Sequence, residues 1–273
     1  MKQRALAVAV DFALRAAAGL LIASPVVAAV ASTGIARFPE GDRLLFEPGG
    51  LMLAEVARTL WSALIPLLRA ELMTGLVLGM ALIVPYSLLL VALSGRARGT
   101  AALWGEAVTR VPSLLALHGL TLLTQGGVVL ATATVAVQLR TGFVGATSRG
   151  ADLVFVGVLL LGGLGVLTLT TLRDLASAAC VQGSLTSRSA LTTGVATLRR
   201  APGRVIRDFA PPLLAGVALV AAGAVLTGSL DVSRPGAWRV VLVLAVHQAA
   251  LLGRSVCRAF WLGRALRLVE PLG

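Results

Sequence analysis

The stretch that decides the fold runs from Thr186 to Gly228 and reads TSRSALTTGVATLRRAPGRVIRDFAPPLLAGVALVAAGAVLTG. In its first part, apolar and small residues recur at the i, i+3, i+4 and i+7 positions of one helical face. These residues are Leu191, Gly194, Val195 and Leu198. Ser187 is placed to cap the helix. A proline then ends it, and residues 210–228 are apolar without a charge. The stretch predicts an amphipathic helix on a membrane face, followed by a helix that crosses the bilayer.

The composition of the 273-residue chain is typical of a membrane protein. Hydrophobic residues make up 57% of the chain and charged residues 13%, whereas a soluble domain is roughly 25% charged. The net charge is +12, which in a soluble protein would favour nucleic acid as a partner. Here the basic residues lie between apolar segments, so the headgroups of anionic phospholipids are the predicted counter-charge and no nucleic acid is expected.

Six apolar segments are long enough to cross a bilayer, which requires about 20 helical residues. They cover residues 5–35, 72–93, 113–137, 152–172, 210–228 and 239–262. Three amphipathic segments are predicted to lie in the membrane interface. They cover residues 51–70, 100–111 and 187–200. Pro112 is expected to separate the second of them from the span that follows. The sequence therefore predicts an all-α fold with a single transmembrane domain of about six helices.

Two interpretations of the first segment stay open. Residues 1–31 resemble a secretory signal peptide, because Ala29-Val30-Ala31 resembles a cleavage site. The length of the segment, and the i, i+4 pair of Asp11 with Arg15, favour a retained helix. In either case residue 32 lies outside, so the topology of the other spans is the same.

The distribution of basic residues predicts the orientation of the chain. With the N-terminus inside, sixteen of the twenty-four Lys and Arg residues fall on the inner side and eight on the outer side. This asymmetry predicts that both termini are cytoplasmic. Arginines near the inner ends of the spans are expected to contact anionic phospholipids of the cytoplasmic leaflet. These candidates are Arg110, Arg188, Arg199, Arg200, Arg204 and Arg207.

Four polar residues lie within or at the ends of the predicted spans, where they need partners. They are Gln125, His247, Gln248 and Arg254. Gln125 and His247 have matching depths on antiparallel spans, which predicts that they meet. Hydrogen bonds between helices are one interpretation, with Arg254 extending its charge to the interface. A polar lining for a substrate path is the other.

The chain contains none of the catalytic motifs that carry a clear mechanism. A Walker loop, an HExxH or GxSxG motif and metal-ligand spacings are all missing, and neither Cys180 nor Cys257 belongs to a CxxC pair. We therefore expect no enzymatic activity, no metal and no cofactor. The predicted function is an integral membrane scaffold or accessory subunit that contacts lipid, a membrane protein partner or a second copy of itself. The alternative is a small transporter or permease subunit with a polar path near Gln125 and His247.

The chain contains an internal repeat with an offset of 90 residues. Arg110 and Pro112 correspond to Arg200 and Pro202, and each copy consists of a span, an amphipathic helix and a second span. The stripe of the first copy consists of Ala101, Trp104, Gly105 and Val108.

Residues 72–229, with their two Arg-x-Pro motifs, resemble uncharacterised bacterial multi-pass inner-membrane proteins. Among named families, they resemble the membrane domain attached to some glycerophosphodiester phosphodiesterases. The resemblance implies location in a bacterial inner membrane. The chain lacks the phosphodiesterase domain with its catalytic His and Glu, so the resemblance transfers no catalytic residue.

Overall fold

The computed structural model describes residues 2–32, 58, 61–142, 148–183, 186–229 and 237–270. All regular secondary structure in these residues is helical, which confirms the predicted all-α fold. The helices are α1 (Lys2–Ser32), α2 (Trp61–Ala81), α3 (Ile83–Ser94), α4 (Thr100–Gly142), α5 (Ser148–Gly183), α6 (Ser187–Arg200), α7 (Pro202–Ser229) and α8 (Ala237–Leu268).

Six segments in the described residues are long and apolar enough to cross a membrane. They are Gln3–Ala29, Ile65–Ser94, Thr100–Leu139, Asp152–Gly183, Pro202–Ser229 and Val241–Leu268. Many of their large apolar side chains are exposed, including Leu123 at 78% and Val225 at 74%. Lipid tails are as apolar as leucine, so such side chains suit a hydrocarbon surrounding. The chain is a multi-pass membrane protein.

The two Arg-x-Pro motifs have different backbone conformations. The predicted break at Pro112 is wrong, because α4 continues through this residue. Helices within membranes tolerate proline where neighbouring groups satisfy the freed backbone carbonyl. The predicted break at Pro202 is confirmed. Ala201 leaves the helical region with φ −141° and ψ 57°, as expected of a residue before proline, and α7 begins at Pro202.

The predicted N-terminal cap of α6 is also wrong. Thr186 is the capping residue, although its side chain makes no capping hydrogen bond, and Ser187 is the first helical residue. The Ser187 hydroxyl instead donates a hydrogen bond of 3.2 Å to the backbone carbonyl of Ser113 in α4. A serine that the sequence assigns to local capping therefore joins two helices.

Several helix ends differ from the predicted boundaries. The predicted interfacial helix over 51–70 is described from Trp61 onward and at residue 58, and α2 continues without a break from Trp61 to Ala81. A short turn at Leu82 then connects α2 to α3, so the two helices form one apolar segment. At the other end of the chain, α5 continues past the predicted end at residue 172 to Gly183. Residues 33–35 of the first predicted span lie outside the described residues.

The described residues form two compact units. One contains Met1–Leu89 with Pro212–Ala259, and the other contains Leu90–Pro211 with Phe260–Gly273. The single transmembrane domain stays a prediction. In the first unit, α7 and α8 pack closely through glycines. A Cβ atom at Gly253 would lie 2.8 Å from the Cδ1 atom of Leu219, and one at Gly223 would lie 3.2 Å from the Cβ of Ala250. Small residues thus bring these two helices together.

Two helix ends are buried on all sides, at equivalent places in the two copies of the repeat. Residues 85–92 of α3 and residues 174–181 of α5 are buried without interruption. The repeat offset of 90 residues places the first stretch on residues 175–182, within one residue of the second. A helix that is buried all round belongs to a protein core. The burial pattern therefore supports the repeat independently of the few matching residues.

Candidate functional site

The two longest helices of the second unit extend beyond the thickness of a bilayer core. The 43 residues of α4 and 36 residues of α5 correspond to about 64 Å and 54 Å of helix, whereas the hydrocarbon core is about 30 Å thick. The N-terminal part of α4 and the C-terminal part of α5 pack with α6. We call this part of the second unit the α6 layer, defined as residues 100–117, 171–183, 186–211 and 260–270.

The apolar face of α6 packs against α5. Gly194 and Ala190 are buried, and a Cβ atom at Gly194 would lie 3.0 Å from the backbone nitrogen of Ala176 and 3.3 Å from its Cα. The helix backbones are therefore in direct contact, as small residues allow. The stripe that the sequence predicts on the surface of a leaflet is thus covered largely by protein.

The arginines of α6 and of the start of α7 point away from this contact. Five of the six predicted lipid-contact residues are exposed, and we call them the arginine surface: Arg188, Arg199, Arg200, Arg204 and Arg207. The side chain of Arg207 is 77% exposed and its Nε lies 3.9 Å from Asp208 Oδ1. An ion pair of this kind in solvent contributes little to stability. The arginine surface is therefore positively charged and accessible.

Arg110, the sixth predicted lipid-contact residue, has a different environment. Its side chain is 18% exposed, and its Nη2 atom lies 3.8 Å from Glu106 Oε1 one helical turn away on α4. Burial and an acidic neighbour both reduce the attraction that such a residue exerts on a lipid headgroup. Arg110 is therefore mostly buried beside an acidic residue, whereas the five residues of the arginine surface are exposed.

A buried polar network connects α5, α7 and α8 within the α6 layer. Asp174 is 3% exposed and accepts hydrogen bonds from Arg173 Nη2 at 2.9 Å and from Trp261 Nε1 at 3.0 Å. The Trp261 ring packs edge-on against Phe209, with 5.0 Å between ring centroids. Arg264 Nη1 donates to the backbone carbonyl of Asp208 at 3.2 Å. Both carboxylate oxygens of Asp174 therefore have a hydrogen-bond donor, as a buried charge requires.

Sequence reasoning missed this network. The span predicted over residues 152–172 ends directly before Arg173 and Asp174, and neither residue was assigned a partner. Trp261 is the residue from which the network could have been predicted. The indole N–H of a buried tryptophan needs a hydrogen-bond acceptor, and Asp174 is an acidic residue that can accept this bond. A second long-range hydrogen bond was also not predicted. In this bond, Arg96 Nη1 donates to the backbone carbonyl of Val181 at 3.1 Å.

The polar residues predicted within the membrane have separate environments. Gln125 Nε2 donates to Thr170 Oγ1 at 2.8 Å and to the Val166 carbonyl at 3.2 Å, which joins α4 to α5. His247 is exposed, and its Nδ1 atom lies 3.0 Å from the carbonyl of Val243 in the same helix. Gln125 and His247 belong to different units, and their meeting stays a prediction.

The other two predicted intramembrane residues lie on α8. Gln248 is half-buried and Arg254 is exposed. The stem of Arg254 lies along α7, since its Cγ atom is 3.6 Å from a Cβ position at Gly216. This packing leaves the guanidinium group free to extend along the helix surface, as expected of an arginine near a membrane interface.

Acidic residues of the first unit have contrasting environments. The predicted pair in α1 is confirmed, because Arg15 Nε donates to Asp11 Oδ2 at 2.8 Å and Asp11 is 1% exposed. Both carboxylate oxygens of Glu71 are buried without a hydrogen-bond partner in the described part of the chain. Glu71 is not among the residues predicted to have a function. In that same part of the chain, no three His, Cys, Asp or Glu side chains form a group suited to a metal.

The fold and these environments define a multi-pass membrane protein with a positively charged helical layer. Comparison of the chain with protein-family models, curated proteins and solved structures gave no match. The resemblance of residues 72–229 to the membrane domain of glycerophosphodiester phosphodiesterases stays a prediction.

Proposed function

We propose that this chain is a non-enzymatic scaffold or accessory subunit of a bacterial inner membrane that binds anionic phospholipids through the arginine surface. The observation that carries the proposal is the packing of α6. Its apolar face contacts α5 at Gly194, while Arg188, Arg199 and Arg200 are exposed. The exposed surface of α6 is therefore mainly positively charged.

The charge and rigidity of the surface favour lipid headgroups as its ligand. A basic residue near an anionic leaflet contributes on the order of 1 kcal/mol of attraction, and five such residues lie close together in the chain. The hydrogen bond from Ser187 to the Ser113 carbonyl and the contact at Gly194 hold the helix in place. Binding then costs little ordering entropy in the backbone.

The proposal includes the orientation of the chain in the membrane. Both termini lie in the cytoplasm, and the arginine surface faces the cytoplasmic leaflet, in accordance with the excess of basic residues on that side. A membrane protein partner or a second copy then has the remaining lipid-facing helices available for contact. The transport alternative, with a polar path near Gln125 and His247, stays a prediction. The amide of Gln125 donates to Thr170 Oγ1 and to the Val166 carbonyl.

The test compares lipids retained by variants of the full chain. Protein is reconstituted in bilayers of mixed phosphatidylglycerol and phosphatidylcholine, released into detergent, and analysed for bound lipid by native mass spectrometry. Wild type is expected to retain phosphatidylglycerol in excess, and added salt is expected to reduce that excess because charges in solvent are screened within about 8 Å at physiological ionic strength.

The informative variant is R199Q/R200Q/R204Q, and its matched control is R199K/R200K/R204K. The glutamine variant is expected to lose the excess of phosphatidylglycerol, whereas the lysine variant keeps it because the charge is retained. Equal retention of both lipids by wild type, or an unchanged excess in the glutamine variant, would contradict lipid binding by the arginine surface.

A further inference from the structure

An open groove lies between α4 and α5, separate from the α6 layer. Its volume is about 690 Å³. Residues of both helices form its walls, including Val129, Thr132, Ala133, Leu160, Gly162 and Gly163. Pockets that hold small molecules have volumes of about 300–1,000 Å³, so the groove is large enough for a ligand.

Two adjacent glycines give the groove its shape. Gly162 lies directly against the side chain of Thr132, where a Cβ atom would overlap the threonine, so α4 and α5 are in close contact at this point. Gly163 has no atom within 4 Å of its Cβ position. Gly162 thus allows α4 and α5 to approach closely, and Gly163 leaves open space next to this contact.

The predicted spans place the groove in the hydrocarbon part of the membrane. On α5 it is lined between residues 159 and 167, the middle of the predicted span 152–172. On α4 it is lined between residues 129 and 133, inside the apolar segment Thr100–Leu139. Water is scarce at this depth, and a polar ligand would lose hydrogen bonds that the groove does not replace.

The lining excludes polar ligands and disfavours a helix as the occupant. Thr132 is the one lining residue with a polar side chain. Along α5 the lining covers about 12 Å of helix length, which is less than half of the roughly 30 Å hydrocarbon core. A transmembrane helix docked here would contact the groove over a minor part of its length, whereas a short segment of an alkyl chain fits within it.

We infer that the groove between α4 and α5 binds the end of a lipid acyl chain near the centre of the bilayer. This inference is independent of the arginine surface, because the groove recognises the apolar tail and not the headgroup. A neutral lipid is therefore expected to occupy it as well as an acidic one.

The test uses a phosphatidylcholine that carries a photoreactive diazirine at the methyl end of one acyl chain. The full chain is reconstituted with this lipid at trace level, irradiated, digested and analysed by mass spectrometry. Labelling is expected to concentrate on residues 129–133 and 159–167, above the level at Leu123, an exposed residue outside the groove. A diazirine beside the ester is expected not to label these residues.

The blocking variant is G163W, which fills the open space, and its control is L161W at the neighbouring exposed position outside the lining. Labelling of the groove is expected to fall to the level of Leu123 in G163W and to stay unchanged in L161W. If G163W does not fold, A133F fills the groove from α4. Uniform labelling of all exposed positions would show ordinary annular lipid and overturn the inference. Disulfide formation between copies carrying L160C would overturn it in favour of a dimer contact.

Discussion

At Gly194 the backbone of α6 lies against the backbone of α5, and the repeat places Trp104 at the equivalent position in α4. A Cβ atom at residue 194 would lie 3.0 Å from Ala176 N, so a large side chain is excluded there. Trp104 is 44% exposed. The glycine lets α6 approach a neighbouring helix backbone, whereas the tryptophan at the equivalent position of the first copy is exposed.

We expect Gly194→Leu to destabilise the protein by about 1–3 kcal/mol, because overpacking forces the two backbones apart. The matched control is Gly105→Leu, since Gly105 has open space at its Cβ position and the substitution changes helix propensity equally. The measurement is the unfolding midpoint in detergent. Equal midpoints for the two variants would show that the contact at Gly194 contributes nothing to stability.

At the scale of whole elements, α4 and α6 show what apolar periodicity predicts and what it leaves open. It correctly predicted helix over residues 100–111 and 187–200. It did not predict which face of α4 is buried, because Leu103 and Ala107 form a second apolar face. Leu103 is 1% exposed, whereas Val108 of the predicted stripe is 58% exposed. Packing against distant parts of the chain decides between such faces.

Substitution of neighbouring residues in α4 distinguishes the two faces. We expect Leu103→Ala to cost about 2–5 kcal/mol, as for other buried leucines, and Trp104→Ala to cost clearly less although it removes a larger side chain. Chemical unfolding of both variants in the same detergent measures the difference. A larger loss for Trp104→Ala would mean that the stripe predicted from the sequence is the buried face.

At the scale of the whole molecule, hydropathy predicted the number of spans because about 20 apolar residues in a helix have few other solutions. It did not predict that α4 and α5 extend into a common layer with α6, because the charged residues Arg173 and Asp174 indicated the end of a span at residue 172, whereas α5 continues to Gly183. The groove and the Asp174 network were missed as well. Both arise from contacts between residues more than 25 positions apart, which no local pattern records.

Reactivity of single cysteines along α6 tests the central claim, that α5 covers its apolar face while its arginines face anionic lipid. A190C, R188C and R199C are introduced after Cys180 and Cys257 are replaced by serine, and each protein is placed in nanodiscs of neutral or acidic lipid. A membrane-impermeant maleimide then measures access.

We predict that A190C is protected in both lipids, because Ala190 is buried in protein. R188C and R199C should react rapidly in neutral lipid and several times more slowly in acidic lipid, where the remaining arginines hold headgroups over them. Rapid reaction of A190C, or equal reaction of R188C and R199C in the two lipids, would contradict the account.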